Sequence, residues 1–299
     1  MKNFKNGTST GSINTYSYLK QKQVQWAMRQ GINLLGSAGP RGKKAYTATL
    51  EQNLFRALSP EALSEYGSGK GGELAANEAG IRKMQAVHSS AALTVNLFQY
   101  WREIGYLAPL LKALDQPDEP LAKITYERKL PIDDMVNRRA FPVDPHIDVM
   151  IACPTSSTAI ECKFTEAYSS YKHAGIKPAY MELENLWQAI PECKRLAQSI
   201  CPSDAEFPHL HPAQLLKHIL GLKHAHKNKS DFRLIYLWYH APSNAGDAHR
   251  KEIERFSDIV KSDGIAFKAF TFQEVIFRLA ENHQPEHREY IHYLTERYL

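Results

Sequence analysis

From Pro145 to Glu166 the chain runs PHIDVMIACPTSSTAIECKFTE, two apolar, β-branched stretches around a tight polar turn, Pro154 to Ser157. Stretches of this kind fold as strands, and successive side chains on a strand point to opposite faces. On the second stretch Ile160, Cys162 and Phe164 share an apolar face, while Glu161 and Lys163 share the other. On the first, Ile147, Val149 and Ile151 are apolar and Asp148 faces away from them. The pattern predicts a hairpin that buries one side and presents Asp148, Glu161 and Lys163 together on the other.

The rest of the second half alternates between the two periodicities. Ala122–Leu130 and Ala266–Phe270 have strand composition, and Phe232–Tyr239 is a nearly continuous apolar run suited to a buried strand. Leu186–Ile200, Pro212–His226, Ala248–Val260, Phe272–Ala280 and Glu286–Leu299 have helical composition. Alternation of this kind predicts a mixed α/β sheet with helices on its faces. The first half differs. After a flexible lead over residues 1–15, helices are expected at Tyr16–Leu35, at Thr47–Leu58 (stopped by Ser59-Pro60), at Ser89–Ile104 with Ser89 as N-cap, and at Tyr106–Leu114. Loops Gly36–Lys44 and Gly67–Gly72 separate them. The organisation expected is a mostly helical, basic region over residues 1–115 and a sheet core over residues 116–299.

Of the 299 residues, 43% are apolar and 23% charged, a globular balance. No apolar run reaches the ~18 to 20 residues of a membrane helix. The polar Met1–Ser12 lacks the apolar core of a signal peptide. Cys153, Cys162, Cys193 and Cys201 form no CxxC pair. A cytoplasmic protein with reduced thiols and no membrane partner is expected. The net charge of +5 is unevenly placed. Residues 1–60 hold nine Lys or Arg and one acid, Glu51. A basic arm on a near-neutral body suits a polyanion such as nucleic acid. Lys20, Lys22, Arg29, Arg41, Lys43 and Lys44 are the candidate DNA contacts.

Two carboxylates and an ammonium on one patch have a chemical use. Mg²⁺ is held by one or two carboxylates plus water and phosphate oxygens. Such a metal polarises a phosphoryl oxygen and acidifies its water, and a nearby lysine can stabilise charge developing on the phosphate. Three Glu-x-Lys tripeptides occur. Glu192-Cys193-Lys194 lies in a helical segment, where i and i+2 diverge. Glu127-Arg128-Lys129 has only the loop residue Asp118 as a partner acid. Glu161-Cys162-Lys163 has an acid on the adjacent strand. The bland alternative, a surface ion-pair cluster, is disfavoured because neighbouring acids repel without a cation.

Supporting candidates are Glu127, ahead of the hairpin, and Gln214, in HPAQLLKHILGL. Glu127 also suits simple pairing with a neighbouring base such as Arg128, and Gln214 a solvated helix face. Glu78 suits a surface acid and His146 a turn histidine. The histidines between His209 and His226 lie on or beside a helix, where His-x-His diverges, so a zinc site is disfavoured. Gly67-Ser68-Gly69-Lys70 has Gly71 where a phosphate loop needs Ser or Thr.

The hairpin Asp148…Glu161-Cys162-Lys163 resembles the active-site motif of the PD-(D/E)XK nuclease superfamily. The usual proline before the aspartate is absent, since Ile147 precedes Asp148. Asp144, between two prolines, is a rival first acid. The segment Ser89–Phe98 is similar to the SSQALxxN-type segment of a family of bacterial restriction endonucleases within that superfamily, with Ala91 in place of Gln. The likeness runs over roughly residues 75–260. It implies a restriction-endonuclease-like mixed β-sheet flanked by helices, with Asp148 and Glu161 as metal ligands and Lys163 as the catalytic lysine. The expected activity is Mg²⁺-dependent DNA endonuclease, with Mn²⁺ able to substitute, of restriction or phage-defence type. The alternatives are a non-catalytic nucleic-acid-binding protein on the same fold and a DNA repair or junction nuclease. Double-stranded DNA is the expected partner. Double-strand cleavage favours a homodimer, and a methyltransferase or helicase is a further partner class.

Overall fold

The computed structural model describes residues 14–37, 42–69, 71–133, 144–170, 172–281 and 283–299. Most of the expected lead, as well as Arg41 and Lys70, lies outside the described residues. Five strands form one sheet in sequence order: β1 (Lys123–Lys129), β2 (His146–Ala152), β3 (Ser157–Lys163), β4 (Phe232–Trp238) and β5 (Phe267–Thr271). The first three pair antiparallel, and β4 and β5 continue parallel to β3. Antiparallel neighbours need only a turn, whereas parallel ones need a crossover. The strand–helix alternation expected from the sequence is therefore realised as a mixed sheet flanked by helices.

The N-terminal region is helical. Helix α1 (Thr15–Arg29) starts at Asn14, whose side chain accepts the Ser17 N–H. It ends six residues before the expected Leu35, because Gly31 turns the chain at φ +68°. The expected helix Thr47–Leu58 does not form. Only a short 3₁₀ turn, Glu51–Asn53, appears there. The backbone is drawn instead onto residues 84–86, where Thr47 N–H donates to Gln85 O and Asn53 Nδ2 to Met84 O and Ala86 O.

Helix α2 (Pro60–Ser68) begins at the expected stop. The Ser59 hydroxyl accepts the Ala62 N–H, and Pro60 sits at N1, where a missing N–H costs nothing. Helix α3 (Ser90–Ile104) has the expected Ser89 cap, and α4 (Ala108–Ala113) follows.

The β3–β4 crossover carries α5 (Pro178–Met181), α6 (Pro191–Ser199) and α7 (Pro212–Ala225). Pro191 at the helix start splits the expected Leu186–Ile200 helix into a 3₁₀ turn and α6. Helix α8 (Asn244–Ser262) joins β4 to β5, and α9 (Phe272–Glu281) and α10 (Arg288–Tyr298) end the chain. Among the described residues no helix is long and apolar enough to cross a membrane.

Hydrophobic cores lie on both faces of the sheet. One gathers Leu97, Phe98 and Trp101 of α3 with Val149, Ile160 and Leu294, and also takes in Leu19, Leu54 and Tyr66. The other gathers Met150 and Ala159 with Leu216 and Ile219 of α7 and Phe256 of α8. This corrects the expectation that the hairpin leaves one side open, since helices of the β3–β5 crossovers cover that side. Ile147 also departs from its expected companions and joins the second core. The β1–β2 pairing matches Tyr126 with Val149 and Arg128 with Ile147, and Glu127 between them takes φ +49°.

Candidate active site

The antiparallel pairing of β2 and β3 stops at Val149 and Ile160. Beyond that point the Cys162 N–H donates to Asp148 Oδ2 at 2.7 Å, so a side chain replaces the missing backbone acceptor. β3 continues along β4, with Glu161 beside Tyr236 and Lys163 beside Trp238. Strand alternation puts Glu161 and Lys163 on one face, where Lys163 Nζ donates to Glu161 Oε1 at 2.5 Å. From α7 above, His218 Nε2 lies 2.9 Å from Glu161 Oε2. Glu161 is only 1% exposed, whereas the Lys163 side chain keeps 20% of its surface.

These groups line a cavity of about 460 Å³. Asp148, Glu161, Lys163, Glu127 and Gln214 all reach it, so the structure brings the five candidates together. The rival acid Asp144 and His146 line it as well. Asp118, the partner acid of the Glu127 alternative, lines a separate pocket with Tyr106 and Arg278, and Glu78 is exposed beside Ser37. Ser90 brings the start of α3, and with it the Ser89–Phe98 segment, to the cavity wall. Glu127 comes from β1 in a left-handed conformation that costs a non-glycine residue roughly 1–2 kcal/mol. Gly69, which ends α2, packs so tightly on it that a Cβ would stand 2.8 Å from Glu127 Oε2.

The charges divide the site. Burial, then the neighbouring Glu161 carboxylate, raises the Asp148 pKa well above the usual carboxylate range. Burial works to raise Glu161 too, but the Lys163 ammonium and the His218 hydrogen bond outweigh it and hold Glu161 ionised. Burial opposes the charge on Lys163, and Glu161 and Asp148 more than restore it. Glu127 is pushed up to about 7 by burial, Glu161 and Glu73.

The donor set fits a hard divalent cation. Among the described residues six acids line the cavity against three lysines. Asp148 Oδ1 has no hydrogen-bond partner among the described residues. Among those residues no group of three or more His, Cys, Asp or Glu side chains converges as a metal cage. Mg²⁺ ordinarily takes one or two carboxylates and completes its shell with water and substrate oxygens, and Asp148 with Glu161 supplies that minimum.

Some of the site was not foreseen. His218 lies one helical turn after Gln214, so a period-3.6 reading of HPAQLLKH would have placed both on one face. Glu73 and Lys83, paired with each other at the cavity wall, come from an irregular segment and a short 3₁₀ turn, neither long enough to show a periodicity. The candidate DNA contacts divide as well. Arg29, Lys43 and Lys44 are exposed and Lys20 is half-buried. Lys22 is half-buried too, and its ammonium is engaged, donating to Tyr239 Oη at 3.0 Å and Leu299 O at 2.6 Å. The start of α1 stands near the site: Tyr16 Oη is 3.2 Å from His88 Nε2, and His88 O accepts from Thr165, two residues past Lys163.

Comparison with known proteins gives one family. The sequence model of the family described as "Restriction Endonuclease associating with ARP" matches residues 14–299. No curated protein and no solved structure matches the chain. The family match agrees with the restriction-endonuclease-like resemblance and extends it through the N-terminal helices, which the resemblance left without a counterpart. Since the match spans every strand of the sheet and every helix around it, the chain belongs to this restriction endonuclease family.

Proposed function

We propose that the protein is a Mg²⁺-dependent DNA endonuclease of restriction or phage-defence type, hydrolysing phosphodiester bonds in the cavity between β2, β3 and α7. The observation that carries this reading is the enclosure of two carboxylates and a protonated lysine in one cavity, with one carboxylate held between Lys163 and His218. Asp148 and Glu161 would hold Mg²⁺, for which Mn²⁺ can substitute. Bound there, the metal would polarise a phosphoryl oxygen and lower the pKa of its water. Lys163 remains cationic and offers its ammonium to charge developing on the phosphate. Cys162 N–H fixes the Asp148 carboxyl, and His218 fixes that of Glu161. Gln214 offers an amide to a phosphate oxygen or the attacking water. Arg29, Lys43 and Lys44, with Lys20, supply phosphate contacts that carry affinity without sequence information. Cutting both strands of a duplex takes two such sites, which a homodimer provides. As the family description has it, the endonuclease would act in association with ARP.

The test is Glu161→Gln, which keeps the side chain's size and removes its charge. Cleavage of duplex DNA in Mg²⁺ should fall below detection, while DNA binding and the melting temperature stay near those of the wild type. Cleavage at the wild-type rate would remove Glu161 from the chemistry.

A further inference from the structure

Among the described residues three lysines line the cavity, and two of them are neutralised. Lys83 pairs with Glu73 and Lys163 with Glu161. Lys217 makes neither an ion pair nor a hydrogen bond among the described residues. It projects from α7 beside Gln214 and His218, on the helix face that walls the cavity. Burial and the nearby Lys177, at the start of α5, both press against its charge, and Glu161 only partly offsets them. A half-buried ammonium within the field of a second, exposed one is costly without a counter-ion. Two other half-buried lysines, Lys223 and Lys229, have their donors engaged, the first by Leu186 O and Gln188 O and the second by Ala189 O and Asp263 O. Among the described residues no carboxylate pairs with Lys217 or with Lys177.

We infer that Lys217 and Lys177 form a phosphate subsite that takes a backbone phosphate of the nucleic acid adjoining the one hydrolysed at Asp148, Glu161 and Lys163. The inference rests on the nuclease reading and adds to it the residues that hold the strand beside the reacting centre. The carboxylates that share the cavity disfavour a free anion. A strand laid across the cavity brings further phosphates tethered to the first, and Lys217 stands where α7 meets such a strand. Gln214, one turn earlier on the same wall, is a neutral donor for it.

The experiment measures duplex DNA binding by fluorescence anisotropy in EDTA, between 50 and 200 mM salt, for wild type, Lys177→Met, Lys217→Met and the double variant. Methionine keeps an unbranched stem in the half-buried position and removes the charge. Each phosphate that is no longer neutralised lowers the slope of log K against log salt by about 0.9. The double variant is expected to show a reduction of about that size, and Lys261→Met, on the exposed end of α8, is expected to show none. Lys177 is exposed, so its single variant reports even if Lys217→Met fails to fold. An unchanged slope in the variants, with normal wild-type binding, overturns the subsite and leaves the nuclease reading standing. Absence of wild-type binding overturns both. Stabilisation by inorganic phosphate that disappears in the double variant, with an unchanged DNA slope, overturns the nucleic-acid assignment in favour of a free anion.

Discussion

His218 Nε2 lies 2.9 Å from Glu161 Oε2, and each side chain keeps only 1% of its surface. A carboxylate only accepts hydrogen bonds, so the imidazole donates from Nε2. Its Nδ1 is buried with no hydrogen-bond partner among the described residues. Glu161 is thereby fixed through one oxygen by His218 and through the other by Lys163. His218→Leu leaves a buried carboxylate short of one donor. It should cost about 2 kcal/mol of stability and weaken Mn²⁺ binding or activity by roughly 10- to 100-fold. His218→Gln keeps a donor and should restore most of both. Calorimetric Mn²⁺ titration and thermal unfolding check this, and equal behaviour of the two variants would argue against the positioning role.

A second buried cation holds the N-terminal region to the last helix. The Arg297 guanidinium donates to Asn53 O at 2.8 Å, Asn53 Oδ1 at 2.6 Å and Gln23 Oε1 at 3.2 Å, and stacks over Trp26. Each acceptor left unsatisfied in the interior costs roughly 1–3 kcal/mol. Arg297→Met should therefore lower the unfolding free energy in urea by about 3 kcal/mol or more. A loss below about 1 kcal/mol would mean that water reaches these groups.

Acid should weaken the fold through buried histidines. Burial lowers the His88 pKa to about 4 and that of His249 to about 3, with Lys20 adding to the effect on His88 and His209 to that on His249. In the unfolded chain both bind a proton near pH 6.5. The folded state refuses that proton, so stability is unaffected above about pH 6.5 and falls as the pH drops from there toward 3 or 4. His249→Gln, which can still bond the Tyr236 hydroxyl now 3.0 Å from the ring, should flatten this acid limb. Urea midpoints between pH 7 and 4 that fall as steeply in the variant as in wild type would contradict it.

The basic residues of α1 and the loop after it should separate in experiment. Arg29, Lys43 and Lys44 are exposed. Replacing all three with alanine should lower the salt slope of DNA binding by up to about 3, at roughly 0.9 per neutralised phosphate. Lys22→Met should leave the slope alone and lower the melting temperature, because that ammonium bonds Tyr239 and Leu299. The reverse pattern would move the DNA-binding face away from this loop.

The parts of the fold legible in the sequence are those that local rules determine. Period-2 alternation located β2 and β3, and the Ser89 cap located α3. Leu50, Leu54 and Leu58 recur every fourth residue, as on a helix, yet they fill the core from an irregular segment tied to residues 84–86. Ser59-Pro60 has the same composition whether it ends one helix or starts the next, and the Ala62 N–H decided it. At the site, the face shared by Glu161 and Lys163 followed from alternation alone. Its burial did not, because the covering residue His218 arrives from 57 positions along the chain. Glu73 had no periodicity to mark it, and its place depends on the pairing with Lys83.

The assignment of the nuclease site is tested by incubating supercoiled plasmid with purified wild type and Lys163→Ala, in Mg²⁺, Mn²⁺ or EDTA. Wild type is expected to nick or linearise the plasmid in either metal and not in EDTA, and the variant not to cut it at all although it still binds DNA. Cleavage that persists in Lys163→Ala, or that is indifferent to EDTA, would contradict the assignment.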